Sequence, residues 1–476
     1  MATPIPANRC AFTAEEIIRA TDARPSGPGG VHVESVSIDT RSIAPGALFV
    51  ALRGGRDGHQ FLRAAAARGA AAAIVEGSRA DPALPCFEVG DTLEALGRLA
   101  RLHLRRRRAA APLPVIAVGG AAGKTTTKEM TAALMRALVG RALATPGNLN
   151  NLIGVPMTIF TLSESDRAAV IECGTNQRGE IRRLADIVAP DAALVLNADI
   201  EHTEGLGSLE GVADEEASLF TTARVAVVNS AEPMILARVP AAMRMVRFGD
   251  TADADVRLLW RRTDEPGRQE IAIELGKELA EAGAQRTLRA RLHLIGAASA
   301  LNATAAVAAV AAALAHPLSG DEIAALGGAL ESVRAVDGRL STRALGGVVV
   351  IDDSYNANPR SVRAALAAAR ETADGLGARL IVALGDMLEL GELSAEMHRQ
   401  ALRDVVTARP AALIAVGPEM NAAILADRIE APAIVHSCAD SPDAAAIVRS
   451  LARPGDVLLV KGSRGVAMER VIAGLE

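Results

Sequence analysis

Aromatic side chains are scarce in this 476-residue chain: seven phenylalanines, one tyrosine and one tryptophan make up 2% of it. Half the residues are hydrophobic, so the cores must be filled by alanine, leucine and valine, which favours helices and buried parallel strands. Cysteine is also rare. Cys10, Cys86, Cys173 and Cys438 lie far apart, form no CxxC pair and make no dense framework, which excludes a disulfide scaffold and fits a reducing cytoplasm. The N-terminus "MATPIPANRCAFTAEE" lacks the charged start and apolar core of a signal peptide. No uninterrupted apolar run reaches ~18 residues, so stable membrane insertion is not expected. A formal charge of −5 gives no general attraction to nucleic acid or to an anionic membrane. The arginines of "RLHLRRRR" have no interleaved aromatics and read as a solvated helix end.

What the chain does contain is alternation. Residues 31–76 read as strand, turn, strand, glycine-rich loop, helix and strand, with Pro45-Gly46 at the turn. A helix from Thr92 and the segment "AAAPLP" close this unit near residue 110. Short apolar runs ("VIAVGG", "AAVIECG", "AALVLNA", "RVAVVNS") then alternate with helical stretches, the pattern of a parallel sheet with crossover helices. Within 249–295, "RQEIAIELG" and "TLRARLHLIG" suggest an appended antiparallel strand pair. From residue 340 five further strand candidates are separated by helices. These patterns predict an α/β fold of three domains. A small α/β domain covers 1–110, a central mostly parallel sheet of the phosphate-loop type covers 111–336, and a Rossmann-like domain covers 337–476.

The stretch "VGGAAGKTTTK", 118–128, follows an apolar strand and precedes the helix "TKEMTAALMRALVG". Small residues let backbone N–H groups close around phosphate oxygens, and the helix N-terminus adds partial positive charge. Gly120, Ala121, Ala122, Gly123, Lys124, Thr125 and Thr126 are therefore the expected nucleotide-phosphate loop, with Lys124 on the β/γ-phosphates and Thr125 on Mg2+. The usual loop carries a glycine six residues before its lysine; here that residue is Val118. Glu172 ends an apolar strand, where a second metal-binding acid belongs; a surface glutamate there would need the strand to end one residue earlier.

The shortened G-x-x-G-K-T-T loop resembles that of the Mur ligase family, the ATP-dependent amide-forming enzymes of cell-wall synthesis. "TPGNLNNLIGVPMT" resembles the T-x-G-N-x-N-N-x-I-G-x-P segment of the branch that adds D-alanyl-D-alanine, which puts Asn148, Asn150 and Asn151 on the substrate. "EHTEGLGSLEGVA" resembles A-H-x-E-G-x-G-S-x-x-G-V-A, which makes His202 a metal ligand. Two departures follow. Glu216 stands where most members carry a carbamylated lysine and is expected to supply an anionic oxygen without modification, with Asp214 or Glu215 as competitors and a plain surface acid as the alternative. "GAASALNA" replaces the family's His-Asn pair by Ala298-Ser299 and keeps Asn302 for the adenine. "DGRL" and "DDSYNANP" supply Arg339 for phosphate, Asp353 for ribose or phosphate-bound metal, and Tyr355, Asn356 and Asn358 for a peptide. "SIDTRSIAPGALFVALRGGRDGH" resembles a UDP-sugar-binding start with Ser37, Asp39, Thr40 and Arg41, although Arg41 also suits a structural salt bridge.

The resemblance implies that D-alanyl-D-alanine is joined to a UDP-N-acetylmuramoyl tripeptide through an acyl phosphate, with ATP and Mg2+, by a monomer in the cytoplasm. Lys124, Glu172, His202, Glu216 and Arg339 are the expected catalytic set. Three alternatives remain at this point: a related ligase adding a diamino acid, a nucleotide-driven switch protein, and an inactive homologue.

Overall fold

A computed structural model describes residues 3–26, 30–77, 79–81, 83–201, 203–265, 267–427 and 434–475. Three larger sheets organise them. The first has five strands between Arg24 and Val89, four of them parallel neighbours, with Arg24–Ser26 antiparallel on one edge. The helix Thr92–Ala110, capped by the Asp91 carboxylate on the N–H groups of Leu93 and Glu94, leads out of it. Its arginines are not merely solvated. Arg107 donates to Ser163 O at 2.9 Å, Arg108 to Ala189 O at 2.7 Å and to the Asp191 carboxylate at 2.6 Å, so the helix end is fastened to the central domain. These acceptors lie more than fifty residues downstream and leave no local pattern.

The central sheet has nine strands. Val115–Gly119 lies in its interior between Ala168–Glu172 and Ala192–Val195, parallel to both. All five residues of Val115–Gly119 are buried, as expected of a strand covered on both faces. The antiparallel appendage is three strands, not two: Val256–Glu265, Arg268–Leu275 and Thr287–Leu292. The extra strand, "VRLLWRRTDE", escapes an alternation reading because register shifts at Leu258/Trp260 and Thr263/Glu265 break its period. The helix Gly296–Ala313 is long and apolar enough to cross a membrane by composition, but 72% of it is buried in the protein. Ser299, Asn302 and Thr304 interrupt its apolar run, and it packs beside the helix Lys124–Val139 as a core helix.

The C-terminal sheet has six strands, of which five form a parallel set. The sixth, Ser341–Leu345, pairs antiparallel on the edge and was too short and polar to read as a strand. Its neighbour Val348–Asp353 ends at the central domain's phosphate loop side. Arg261 reaches across to Glu371 at 2.8 Å and Thr203 donates to Leu390 O at 3.0 Å, so the two domains are in direct contact.

Candidate active site

The loop after Val115–Gly119 explains the missing glycine. Val118 is a fully buried strand residue, and the turn begins only at Gly120, whose φ of +118° no L side chain adopts readily. A Cβ on Gly120 would sit 2.9 Å from Leu196 N, and one on Gly123 would sit 2.8 Å from Asn302 Oδ1. Asn197 clamps the loop from the side: its Oδ1 accepts the Ala122 N–H at 2.8 Å and its Nδ2 donates to Ala122 O at 3.0 Å. The Lys124 ammonium donates to the Gly120 carbonyl and lies 3.5 Å from that of Ala121, at the mouth of the loop. Lys124 is also the first residue of its helix, so its charge adds to the partial positive charge of the helix end.

Glu172 closes the opposite wall. The strand runs through it and it is 1% exposed, which removes the surface-acid reading. Its Oε1 accepts from the Asn150 amide at 2.8 Å and the Thr125 hydroxyl at 3.2 Å. Its Oε2 is buried with no hydrogen-bond partner among the described residues. An orphaned carboxylate oxygen is costly unless a cation meets it. The Glu172 carboxylate and the Thr125 hydroxyl beside it are hard oxygen donors that fit Mg2+, an ion that takes few protein ligands. Behind Glu172, its N–H donates to Thr145 Oγ1 at 2.9 Å, and the buried ammonium of Lys128 donates to Thr145 O at 2.8 Å.

The C-terminal domain supplies the facing wall of a cavity of about 460 Å3. Lys461, 1% exposed, holds Asp353 at 2.5 Å and the Asn356 carbonyl at 2.8 Å, which fixes the "DDSYNANP" loop. The Arg339 guanidinium carbon lies 4.2 Å from the centre of the Tyr355 ring, a cation–π contact that orients it, and both line the cavity. Asn358 caps the helix Pro359–Leu376, and Arg360 from that helix pairs with Glu232 of the central domain.

The expected residues thus divide. Ala121, Ala122, Gly123, Lys124, Thr125, Thr126, Asn148, Asn150, Asn151, Glu172, Asn302, Arg339, Asp353, Tyr355, Asn356 and Asn358 all line this one cavity, with Ala298 and Ser299 beside them. Ser37, Asp39, Thr40 and Arg41 do not line it. There Arg41, its side chain 87% exposed, pairs with Asp39 at 2.6 Å, and that hydrogen bond holds the Asp39 carboxyl below its ordinary range. His202 lies outside the described residues.

Glu216 differs from both expectations for it. It is 3% exposed and not a surface acid, yet it is not among the residues lining the cavity: its Oε2 accepts the Gly120 N–H at 2.6 Å from beneath the loop. Burial pushes its carboxyl up to about 7, against the opposing pull of Lys124 and the Gly120 N–H. The competitors are used elsewhere, Asp214 in an exposed pair with Arg238 and Glu215 in capping the N–H groups of Gly179 and Ile181. Sequence reasoning missed Asn197, Thr145, Lys128 and Glu201. Two of these left a signal: Thr145 opens the T-x-G-N segment, and Glu201 is an acid beside His202 where the family pattern has alanine.

A model of the Mur ligase middle domain matches residues 118–310, one of the Mur ligase glutamate ligase domain matches 338–464, and one of the Mur ligase family catalytic domain matches 32–103. The UDP-N-acetylmuramoyl-tripeptide–D-alanyl-D-alanine ligase of Escherichia coli strain K12 is 35% identical over 455 residues, 94% of each chain. A crystal structure of MurF from Acinetobacter baumannii superposes with a TM-score of 0.85 at 28% identity, covering 99% of each chain. The MurF ligase from Thermotoga maritima in complex with ADP superposes at 0.78 with 26% identity, covering 92% of this chain and 96% of that one.

Proposed function

The chain belongs to the Mur ligase family, and on that premise we propose that its cavity joins D-alanyl-D-alanine to UDP-N-acetylmuramoyl tripeptide at the expense of ATP. The observation that carries this reading is the meeting, in one cavity, of a phosphate loop, a buried acid with an orphaned oxygen and an arginine from a second domain. A carboxylate and an ammonium do not condense in water without activation. Here the terminal carboxylate oxygen of the tripeptide attacks the γ-phosphorus of ATP, the bond to ADP breaks, and an acyl phosphate forms. The dipeptide amine then attacks the acyl carbon, phosphate leaves with the C–O electron pair, and one proton is released as the amide forms.

The protein's part is positioning and charge. Lys124 and Arg339 stabilise negative charge on the moving phosphoryl group. Thr125 and Glu172 fit Mg2+, which when bound neutralises phosphate charge, and His202 is proposed as a further ligand. Asn302 faces the base, and Asp353, held by Lys461, faces the ribose or phosphates. Asn148, Asn150, Asn151, Tyr355, Asn356 and Asn358 form the peptide side. Contact between the domains excludes water that would hydrolyse the acyl phosphate. Ser37, Asp39, Thr40 and Arg41 are assigned to the UDP-sugar, on a first domain of residues 1–110, with the other boundary between 336 and 337. A monomer belongs to the same proposed reading, and nucleotide-linked substrates support a cytoplasmic setting.

The test is phosphate release from Mg-ATP and UDP-muramoyl tripeptide with and without D-alanyl-D-alanine. Release that requires the dipeptide supports the ligase. Release indifferent to it would leave only a nucleotide hydrolase.

A further inference from the structure

The segment "TPIPAN", Thr3–Asn8, lies before residue 32, where the first family match begins, and forms neither helix nor strand. Pro4 and Pro6 stiffen it, because each fixes its own φ and biases the residue before it to extended backbone. One end of this strap is fastened to the first domain. Asn8 donates from Nδ2 to Val36 O at 2.8 Å and accepts the Val36 N–H on Oδ1 at 3.0 Å, one residue before Ser37. The other end lies on the "TPGNLNN" loop of the central domain. The Thr3 hydroxyl donates to Asn148 Oδ1 at 2.7 Å and accepts the Asn148 N–H at 3.4 Å. The approach is so close that a Cβ on Gly147, where φ is +51°, would sit 2.2 Å from Thr3 Oγ1.

The strap therefore joins two places, the strand Ser35–Ser37 of the first domain and Asn148, which lines the large cavity. A UDP-linked peptide must bridge the same two places, with its nucleotide on the first domain and its terminal carboxylate at the phosphate loop. ATP and the dipeptide need not. An amide whose Oδ1 is taken by a hydroxyl donor cannot flip without losing that bond, so its Nδ2 donors are the end left for a ligand. Resting on the ligase reading above, we propose that Thr3 is a positioning residue for the UDP-linked substrate. It holds Asn148 so that the amide donates to a carbonyl or carboxylate oxygen of the muramoyl peptide. Thr3 supplies no group to the reaction and acts only through Asn148.

Thr3→Val keeps the shape of the side chain and removes the hydroxyl. Its calorimetric Kd and steady-state KM for UDP-muramoyl tripeptide should both rise about fivefold, the size of one neutral hydrogen bond. Its kcat and its KM for ATP and for D-alanyl-D-alanine should stay at the wild-type values. Thr3→Ser keeps the hydroxyl and should behave as wild type. Thermal unfolding of each variant reports folding independently. A mutant cycle separates action through Asn148 from any general effect of the strap: in an Asn148→Ala background, Thr3→Val should add no further rise. The same rise persisting in that background would overturn the assignment. Tripeptide binding by the wild type that Thr3→Val leaves unmoved sinks only the role of Thr3, whereas a wild type that does not bind the UDP-linked tripeptide sinks the ligase reading with it.

Discussion

Replacing Glu216 by glutamine removes a charge buried beneath the phosphate loop while keeping an oxygen able to accept the Gly120 N–H. Burial raises this carboxyl from 4.5 to about 7 in the folded protein. Between those values the folded state binds more protons at this site than the unfolded chain, so its contribution to stability is full below about pH 4.5 and is lost as pH rises through about 7. A shift of that size corresponds to about 3 kcal/mol, and Glu216 is too buried for solvent to screen much of it. The glutamine variant carries no such titration, so its stability relative to wild type should improve steadily from pH 4.5 to 7 and then level off. For a cooperative unit of roughly 200 residues, 3 kcal/mol is about 6–12 °C in Tm. Thermal unfolding of both proteins at half-unit steps between pH 4.5 and 8 measures this difference directly. A Tm difference that stays flat across the window, or that moves against the variant as pH rises, would refute the picture of a buried carboxylate anchoring the loop.

Glu172→Gln should cut kcat/KM by about a hundredfold or more through lost cation binding, seen as a loss of Mg2+ dependence in nucleotide titrations while Tm holds. Asn197→Ala removes both hydrogen bonds to Ala122 and should raise KM for ATP by about tenfold, with KM for the tripeptide unchanged in steady-state assays. Removing CO2 from the buffer should leave the rate unchanged, because residue 216 offers no amine to carbamylate; a rate that falls and recovers with bicarbonate would contradict this. Arg41→Ala should weaken binding of the UDP-linked substrate in calorimetry without lowering Tm, since its side chain is 87% exposed.

Much of the fold was legible because the strands buried on both faces, such as Val115–Gly119 and Leu380–Gly385, are continuous apolar runs bounded by glycine. Val256–Glu265 was not, because two register shifts spoil its alternation, and Ser341–Leu345 was not, because it is a half-exposed edge strand. In the site, residues that touch phosphate or metal advertise themselves through loop chemistry: Gly120, Gly123 and Lys124 sit at a strand-to-helix junction that little else explains. The supporting layer is silent. Asn197, Thr145 and Lys128 act through backbone atoms of residues distant in sequence; Thr145 opens a family segment, but nothing in "VLNAD" or "LATPG" says which backbone group a side chain holds. Glu216 shows the converse error. A family position carried over by alignment fixed where the residue sits but not which way its carboxylate faces, and the Gly120 N–H claims it.

The claim most worth testing is that this cavity makes an acyl phosphate. Tripeptide labelled with oxygen-18 in its terminal carboxylate would be turned over with ATP and D-alanyl-D-alanine, and the released phosphate analysed by mass spectrometry. Activation through an acyl phosphate transfers one labelled oxygen to each phosphate released. Phosphate that carries no label while ADP accumulates would mean that water, and not the carboxylate, attacks the nucleotide.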